Sequence, residues 1–156
     1  MIFEAIPNFS EGRRADICQD LRTTVEQIPG CTVADQHIDP DHHRTVLTFL
    51  GEKEVLAEGA FRVAEKAIEK IDLTRHTGKH PRMGAIDVLP FVPLGKATME
   101  MATLLARTVG KRIGEELHLP VFLYESAAQR PQRKNLADIR RPRFEGYRDY
   151  ADLDPD

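Results

Sequence analysis

The sequence predicts an α/β (α+β) fold: a ferredoxin-like βαββαβ plait with an added αβ unit. Three observations carry this. Short apolar or β-branched runs alternate with three long amphipathic patterns. A tight Asp39-Pro40-Asp41 turn joins the second and third runs, so they pair as an antiparallel hairpin. The order of elements is βαββαβ and then αβ, which predicts a mixed sheet with its helices on one face. The other face is then solvated or covered by another body.

Residues 2–7, IFEAIP, read as a short apolar first strand. Asn8 to Gly12 form a strand-to-helix turn. Ile17, Leu21, Val25 and Ile28 then recur at helical spacing until Pro29-Gly30 stops the helix. Residues 31–38 and 43–50 are the hairpin strands. A second helix spans about 52–71, with Leu56, Ala60, Val63, Ala64, Ala67 and Ile71 on its apolar face. Residues 74–87, TRHTGKHPRMGAID, follow as a polar stretch broken by Gly78, Pro81 and Gly84. Residues 85–94, AIDVLPFVPL, are the fourth strand. Pro90 and Pro93 cannot donate to a ladder, so one faces a free edge and the other lies at the strand's end. Thr98 caps a third helix whose stripe is Ala102, Leu105, Ala106, Val109, Ile113 and Leu117. Residues 120–125, PVFLYE, are the fifth strand.

From Gln129 the chain turns polar. Arg130, Arg133, Lys134, Arg140, Arg141 and Arg143 come first, then Asp149, Asp152, Asp154 and Asp156. Residues 1–128 therefore read as the folded unit, and 129–156 as a tail or linker with a short helix over 132–139.

A chain of 156 residues, 41% apolar and 30% charged, is an ordinary one-domain balance. A net charge of −3 argues against nucleic acid as a partner. No apolar run is long enough for a spanning helix, so no membrane is expected. The opening MIFEAIPNFSEG lacks the basic start and apolar stretch of a secretory signal. Cys18 and Cys31 have no partner motif and fit a reducing compartment, so the cytoplasm is the expected location.

Four polar clusters carry candidate chemistry. Asn8, Ser10, Glu11 and Gly12 suit helix capping, or an anion or amide site at a helix start. His37, Asp39, Asp41, His42, His43 and Arg44 surround the hairpin turn. They hold enough ligands for zinc but lack HxxxH or HExxH spacing, and adjacent histidines on a strand point to opposite faces; no metal is expected. The 74–87 stretch holds His76 and His80 among Arg75, Lys79 and Arg82. A histidine among such groups can act as a general base near neutral pH, and the cations can hold an anion. Asp87 can orient a histidine or cap the turn. The basic 130–143 segment is either a surface linker or a polyanion strip.

The runs IPNFSEGRR, DPDHHRTVLTFLG, KHPRMGAIDVLPFVPL and ELHLPVFLYESAA, in that order, resemble the N-terminal subdomain of the formiminotransferase family over about residues 2–148. The resemblance implies transfer of a formimino group between tetrahydrofolate and glutamate, in histidine degradation. Tetrahydrofolate, as its 5-formimino form, is then a co-substrate rather than a bound cofactor. The histidine of the HPRMG motif, here His80, is the implied catalytic acid and base. Asn8, Ser10, Glu11, Asp39, His42, Arg44, Lys79, Arg82, Gly84 and Asp87 are the candidate substrate-binding residues. The family's fold has two similar subdomains with folate between them. The implied partner is therefore a second subdomain, in cis or in trans, or a second copy in a homodimer. A folate-binding or protein-interaction module without turnover is the alternative.

Overall fold

A computed structural model describes residues 1–79, 81–149 and 154–156. Strands β1 (Ile2–Ala5) and β2 (Asn8–Phe9) lead to helix α1 (Ala15–Glu26). Strands β3 (Thr32–Asp39) and β4 (Arg44–Glu52) precede α2 (Lys53–Lys70). A 3-10 turn at Leu73–Arg75 comes before β5 (Ile86–Val88) and β6 (Phe91–Pro93). Helices α3 (Met99–Leu117), α4 (Leu136–Arg140) and α5 (Arg143–Asp149) complete the described elements.

The expected hairpin is present: β3 and β4 pair antiparallel, Asp39 against Arg44 and Thr32 against Leu50. On its other side β4 meets β1 and then β2, and these pair with β6 and β5 respectively. The expected first and fourth strands are thus each two short segments. Both breaks fall at prolines, Pro7 and Pro90. The ladder is carried across them: Ile6 N–H donates to the Pro90 carbonyl at 3.1 Å, and Leu47 N–H to the Pro7 carbonyl at 3.1 Å. Leu94 N–H donates to Ile2 O, so the missing donor of Pro93 faces the free edge, as its position in the sequence demands.

Alternation along β4 decides which face is packed. Thr45, Leu47, Phe49 and Gly51 are buried, while Arg44, Val46, Thr48 and Leu50 are half-buried. Phe3, Ala5, Phe9, Leu47 and Phe49 form one core with Leu21, Leu56, Val63, Leu105 and Val109 of the three long helices. Those helices therefore lie on one side of the sheet. Ile2 and Glu4 of β1 point to the other side and stay partly exposed. The α3 cap is as read: Thr98 Oγ1 accepts from Met101 N–H at 3.3 Å. Cys18 and Cys31 are free thiols. Among the described residues no helix is long and apolar enough to cross a membrane.

Two expectations are corrected, the strand over 120–125 and the mixed sheet. Residues 120–125 do not form a strand. Pro120 has no N–H, and the next ladder groups are taken by the end of the chain. Val121 O accepts from Asp156 N–H at 3.0 Å, and Leu123 N–H donates to the Asp156 carboxylate at 2.8 Å. The segment instead lines, with α3 and residues 86–91, an open cavity of about 420 Å³ whose walls include Leu89, Phe91, Val109, Val121 and Leu123. Without that strand the sheet is not mixed, and every pairing in it is antiparallel. The segment beyond residue 128 contains a 3-10 turn at Pro131–Arg133 as well as α4 and α5. Ile139 is buried within it.

Gly12 has no room for a side chain. A Cβ there would lie 2.5 Å from Asp39 O and 2.6 Å from Arg44 N, both backbone atoms that cannot swing aside. Gly12→Ala is expected to destabilise the chain by about 2–3 kcal/mol, lowering Tm by about 5–10 °C. A melt within a degree or two of wild type would contradict the packing described at this turn.

Candidate functional site

Three of the four clusters meet at one end of the sheet, where β2 stops, β4 starts and the chain approaches β5. Ser10 joins the first cluster to the third: its hydroxyl donates to Gly84 O at 2.8 Å, and its N–H to Ala85 O at 3.0 Å. Asn8 lies half-buried between β4 and β5, its amide donating to Ile6 O.

Glu11 is 1% exposed. Its Oε1 accepts the backbone N–H groups of Gly12 and Arg13, each at 2.9 Å, and of Arg14 at 3.1 Å. Its Oε2 pairs with Arg14 Nε at 2.6 Å. Burial alone would raise this carboxyl's pKa. The backbone bonds from Arg13 and Arg14 and the Arg14 guanidinium reverse that and hold it below the usual carboxylate range. Both oxygens are engaged inside the protein, so Glu11 shapes the turn.

The hairpin end is fixed by its own aspartate. Asp39 accepts the His42 N–H at 2.9 Å and faces His42 Nδ1 at 2.7 Å. The next residue, His43, adopts a left-handed backbone with φ 56°. This turns its ring inward, 3.4 Å from Glu11 Oε1 and edge-on to the buried His76, with centroids 4.3 Å apart. His76 Nε2 donates to His43 O at 3.1 Å. Arg13 adds a second bridge, donating to Pro40 O at 2.9 Å and to Thr77 Oγ1 at 3.4 Å. Gly78 closes against the same place, where a Cβ would meet His43 Cβ at 2.8 Å.

In the third cluster, Lys79 is exposed and His80 lies outside the described residues. Arg82 is half-buried; its Nη2 pairs with Glu145 at 2.8 Å, and its guanidinium lies 5.5 Å from the Phe144 ring centre. Asp87 is buried. One of its oxygens accepts Met83 N–H at 2.6 Å, and the other pairs with Arg140 at 2.6 Å. Arg44 is half-buried beside Asp39 in the hairpin register.

The basic fourth cluster stands apart from this end, Arg140 excepted. Arg130 pairs with Asp154, Arg133 with Asp156 at 2.6 Å, and Arg141 with Asp138 at 2.6 Å. Arg130, Arg133 and Arg141 thus face the chain's own aspartates. The sequence did not single out the His43–His76 stack or the Arg13, Arg140 and Glu145 contacts. A left-handed histidine and pairs 53 and 63 residues apart leave no local pattern.

Known proteins share this arrangement of motifs. The family pattern for the formiminotransferase domain, N-terminal subdomain, matches residues 2–156. The chain belongs to the formiminotransferase family, as its N-terminal subdomain. It is 46% identical over 145 residues to the glutamate formimidoyltransferase of Streptococcus pyogenes serotype M1, covering 93% of this chain and 48% of that protein. It is 45% identical over 144 residues to the glutamate formimidoyltransferase of Thermoplasma acidophilum, covering 92% and 48%. Against the formimidoyltransferase-cyclodeaminase of Mus musculus it is 43% identical over 144 residues, covering 92% and 27%. The chain thus spans about half the length of the curated glutamate formimidoyltransferases it matches.

Burial lowers the pKa of both His43 and His76 from the ordinary 6.5. Below that value the unfolded chain binds more protons than the folded one, so acid favours unfolding. The stability tied to these rings is intact above about pH 6.5 and is lost as pH falls through their lowered values. Glu11 adds a loss in the same direction below 4.5. The urea midpoint is expected to fall between pH 7.5 and 5.5, and His76→Leu to flatten that slope. A wild-type midpoint that holds steady over this interval would refute the assignment.

Proposed function

We propose that this chain supplies the N-terminal half of a site that transfers a formimino group between glutamate and tetrahydrofolate, with His80 as general acid and base. The observation that carries this reading is the family match over residues 2–156, which includes the His80-Pro81-Arg82-Met83-Gly84 motif. The names of the bacterial and archaeal relatives support the substrate assignment.

In the reaction a nucleophilic amine nitrogen bonds to the formimino carbon, and the bond from that carbon to the departing nitrogen breaks. The incoming nitrogen loses a proton and the departing one gains it. A single histidine can carry that proton both ways. Lys79 and Arg82 hold carboxylate charge in this scheme, and Asn8, Ser10, Asp39, His42, Arg44 and Gly84 form the surrounding wall. Glu11 and Asp87 set the backbone that presents them. A carboxylate arriving at Arg82 has Glu145 to displace. Tetrahydrofolate is a substrate here.

We infer further that the sheet is a ferredoxin-like plait whose helix-free face receives a second subdomain, in cis or in trans. The antiparallel order and the one-sided helices support this, as does the half-length match. The cytoplasm is the compartment this reading implies. The second reading, a folate-binding module without turnover, also draws on the half-length match.

The test uses the purified chain, alone and with a separately supplied second subdomain. Folinic acid binding is read by calorimetry, and transfer from formiminoglutamate to tetrahydrofolate by absorbance. His80→Ala is expected to lower kcat by about 100-fold or more while folinic acid binds within about threefold of wild type. Binding without turnover in the wild-type pair would favour the second reading. Neither binding nor turnover with the second half present would sink both.

A further inference from the structure

We propose that the C-terminal segment 136–149 is a working part of this site, and that Arg140 is the positioning residue that fixes the Pro81–Asp87 loop. The inference deepens the formimino-transfer reading and rests on that loop being its site.

The argument begins with Asp87, whose side chain is 4% exposed. A carboxylate this deep needs partners for both of its oxygens. It has both. Arg140 Nη2 pairs with one oxygen at 2.6 Å, and Met83 N–H donates to the other at 2.6 Å. The same Nη2 reaches Pro81 O at 3.1 Å. One guanidinium therefore holds the start of the loop directly and its middle through Asp87. In the sequence this loop directly follows the histidine of the HPRMG motif.

A second set of contacts repeats the pattern from α5. Phe144 N–H donates to Arg82 O at 2.9 Å, Glu145 pairs with Arg82 Nη2, and the Phe144 ring lies beside that guanidinium. Tyr147 Oη donates to Ile139 O at 2.8 Å, binding α5 back to α4, and its ring meets Phe122 at 5.1 Å. Pro81, Arg82 and Asp87 are thus each gripped by α4 or α5. The sheet-and-helix core does not draw on this strap: the buried cluster is built from residues 3 to 113. Both contacts come from one nitrogen, so a lysine ammonium on its shorter stem keeps the charge and the donors but not the reach.

The experiment compares Arg140→Ala and Arg140→Lys with wild type in the full chain, by amide hydrogen exchange and by the transfer assay with the second subdomain supplied. In Arg140→Ala the Met83 amide is expected to exchange at least tenfold faster, with the amides of Leu47, Phe49 and Leu105 unchanged. The kcat should fall at least tenfold with KM for the folate within threefold. Arg140→Lys should recover part of both. Unchanged Met83 exchange, or kcat within twofold of wild type, would overturn the proposal. So would loosening of the core amides to the same degree, which would make Arg140 a support of the fold at large. If the wild-type pair shows no transfer at all, the proposed function falls, and the exchange result still decides whether Arg140 sets the loop.

Discussion

The Glu11 carboxylate sits where the first strand, the first helix and the hairpin meet, and it is almost wholly withdrawn from water. A lone ion there would be intolerable; this one gathers three backbone N–H groups and the Arg14 guanidinium. The bonds do more than neutralise it. They fix residues 12–14, the turn that leads into α1. The Glu11 carbonyl accepts the buried Thr45 hydroxyl at 2.6 Å, which ties the turn to β4. The His43 ring closes over the same carboxylate, and through His43 the His76 ring anchors the chain just before Gly78. Removing this charge would release the turn, the hairpin end and the start of the loop together.

Two prolines separate this end of the sheet from the other. Pro7 and Pro90 break neighbouring strands at matching positions, so the breaks coincide and the remaining donors bridge them. Towards one side lie β1, β6 and the second half of β4, which carry Phe3, Ala5 and Phe49 of the core. Towards the other lie β2, β5 and the start of β4, from which Ser10, Arg44 and Asp87 emerge. A continuous strand would have carried the core alternation straight into the site. The break lets the two short segments take their own register, and the β2–β5 pairing does shift between Asn8 and Phe9.

Elements ruled by local periodicity were legible in the sequence. The α2 stripe, the Thr98 cap and the 39–44 hairpin follow from spacing, capping chemistry and turn residues, and each lies within a residue or so of its expected place. The expected PVFLYE strand was read from composition, which does not show what its donors bond to. Asp156, more than thirty residues on, takes the Leu123 N–H. The same limit applied at the site. Glu11 with Arg14 is a pair three residues apart that sequence could offer. Asp87 with Arg140 is a pair across 53 residues that it could not. The basic run 130–143 read as a surface linker or a polyanion strip because spacing does not show that Arg130 and Arg133 pair with Asp154 and Asp156.

Glu11 and Asp87 are therefore two versions of one device. Each is a buried carboxylate that accepts backbone N–H donors, three at Glu11 and one at Asp87, and pairs with an arginine. They differ in where that arginine comes from. Arg14 is supplied by the turn itself, so the first device is complete as soon as α1 forms. Arg140 arrives from the far end of the chain, so the second is complete only when α4 has docked. The conformation of the Pro81–Asp87 loop is then contingent on the C-terminal segment in a way that the 10–14 turn is not. Because local openings in proteins follow the weakest long-range contacts, the loop is expected to open with α4 and α5 rather than with the sheet.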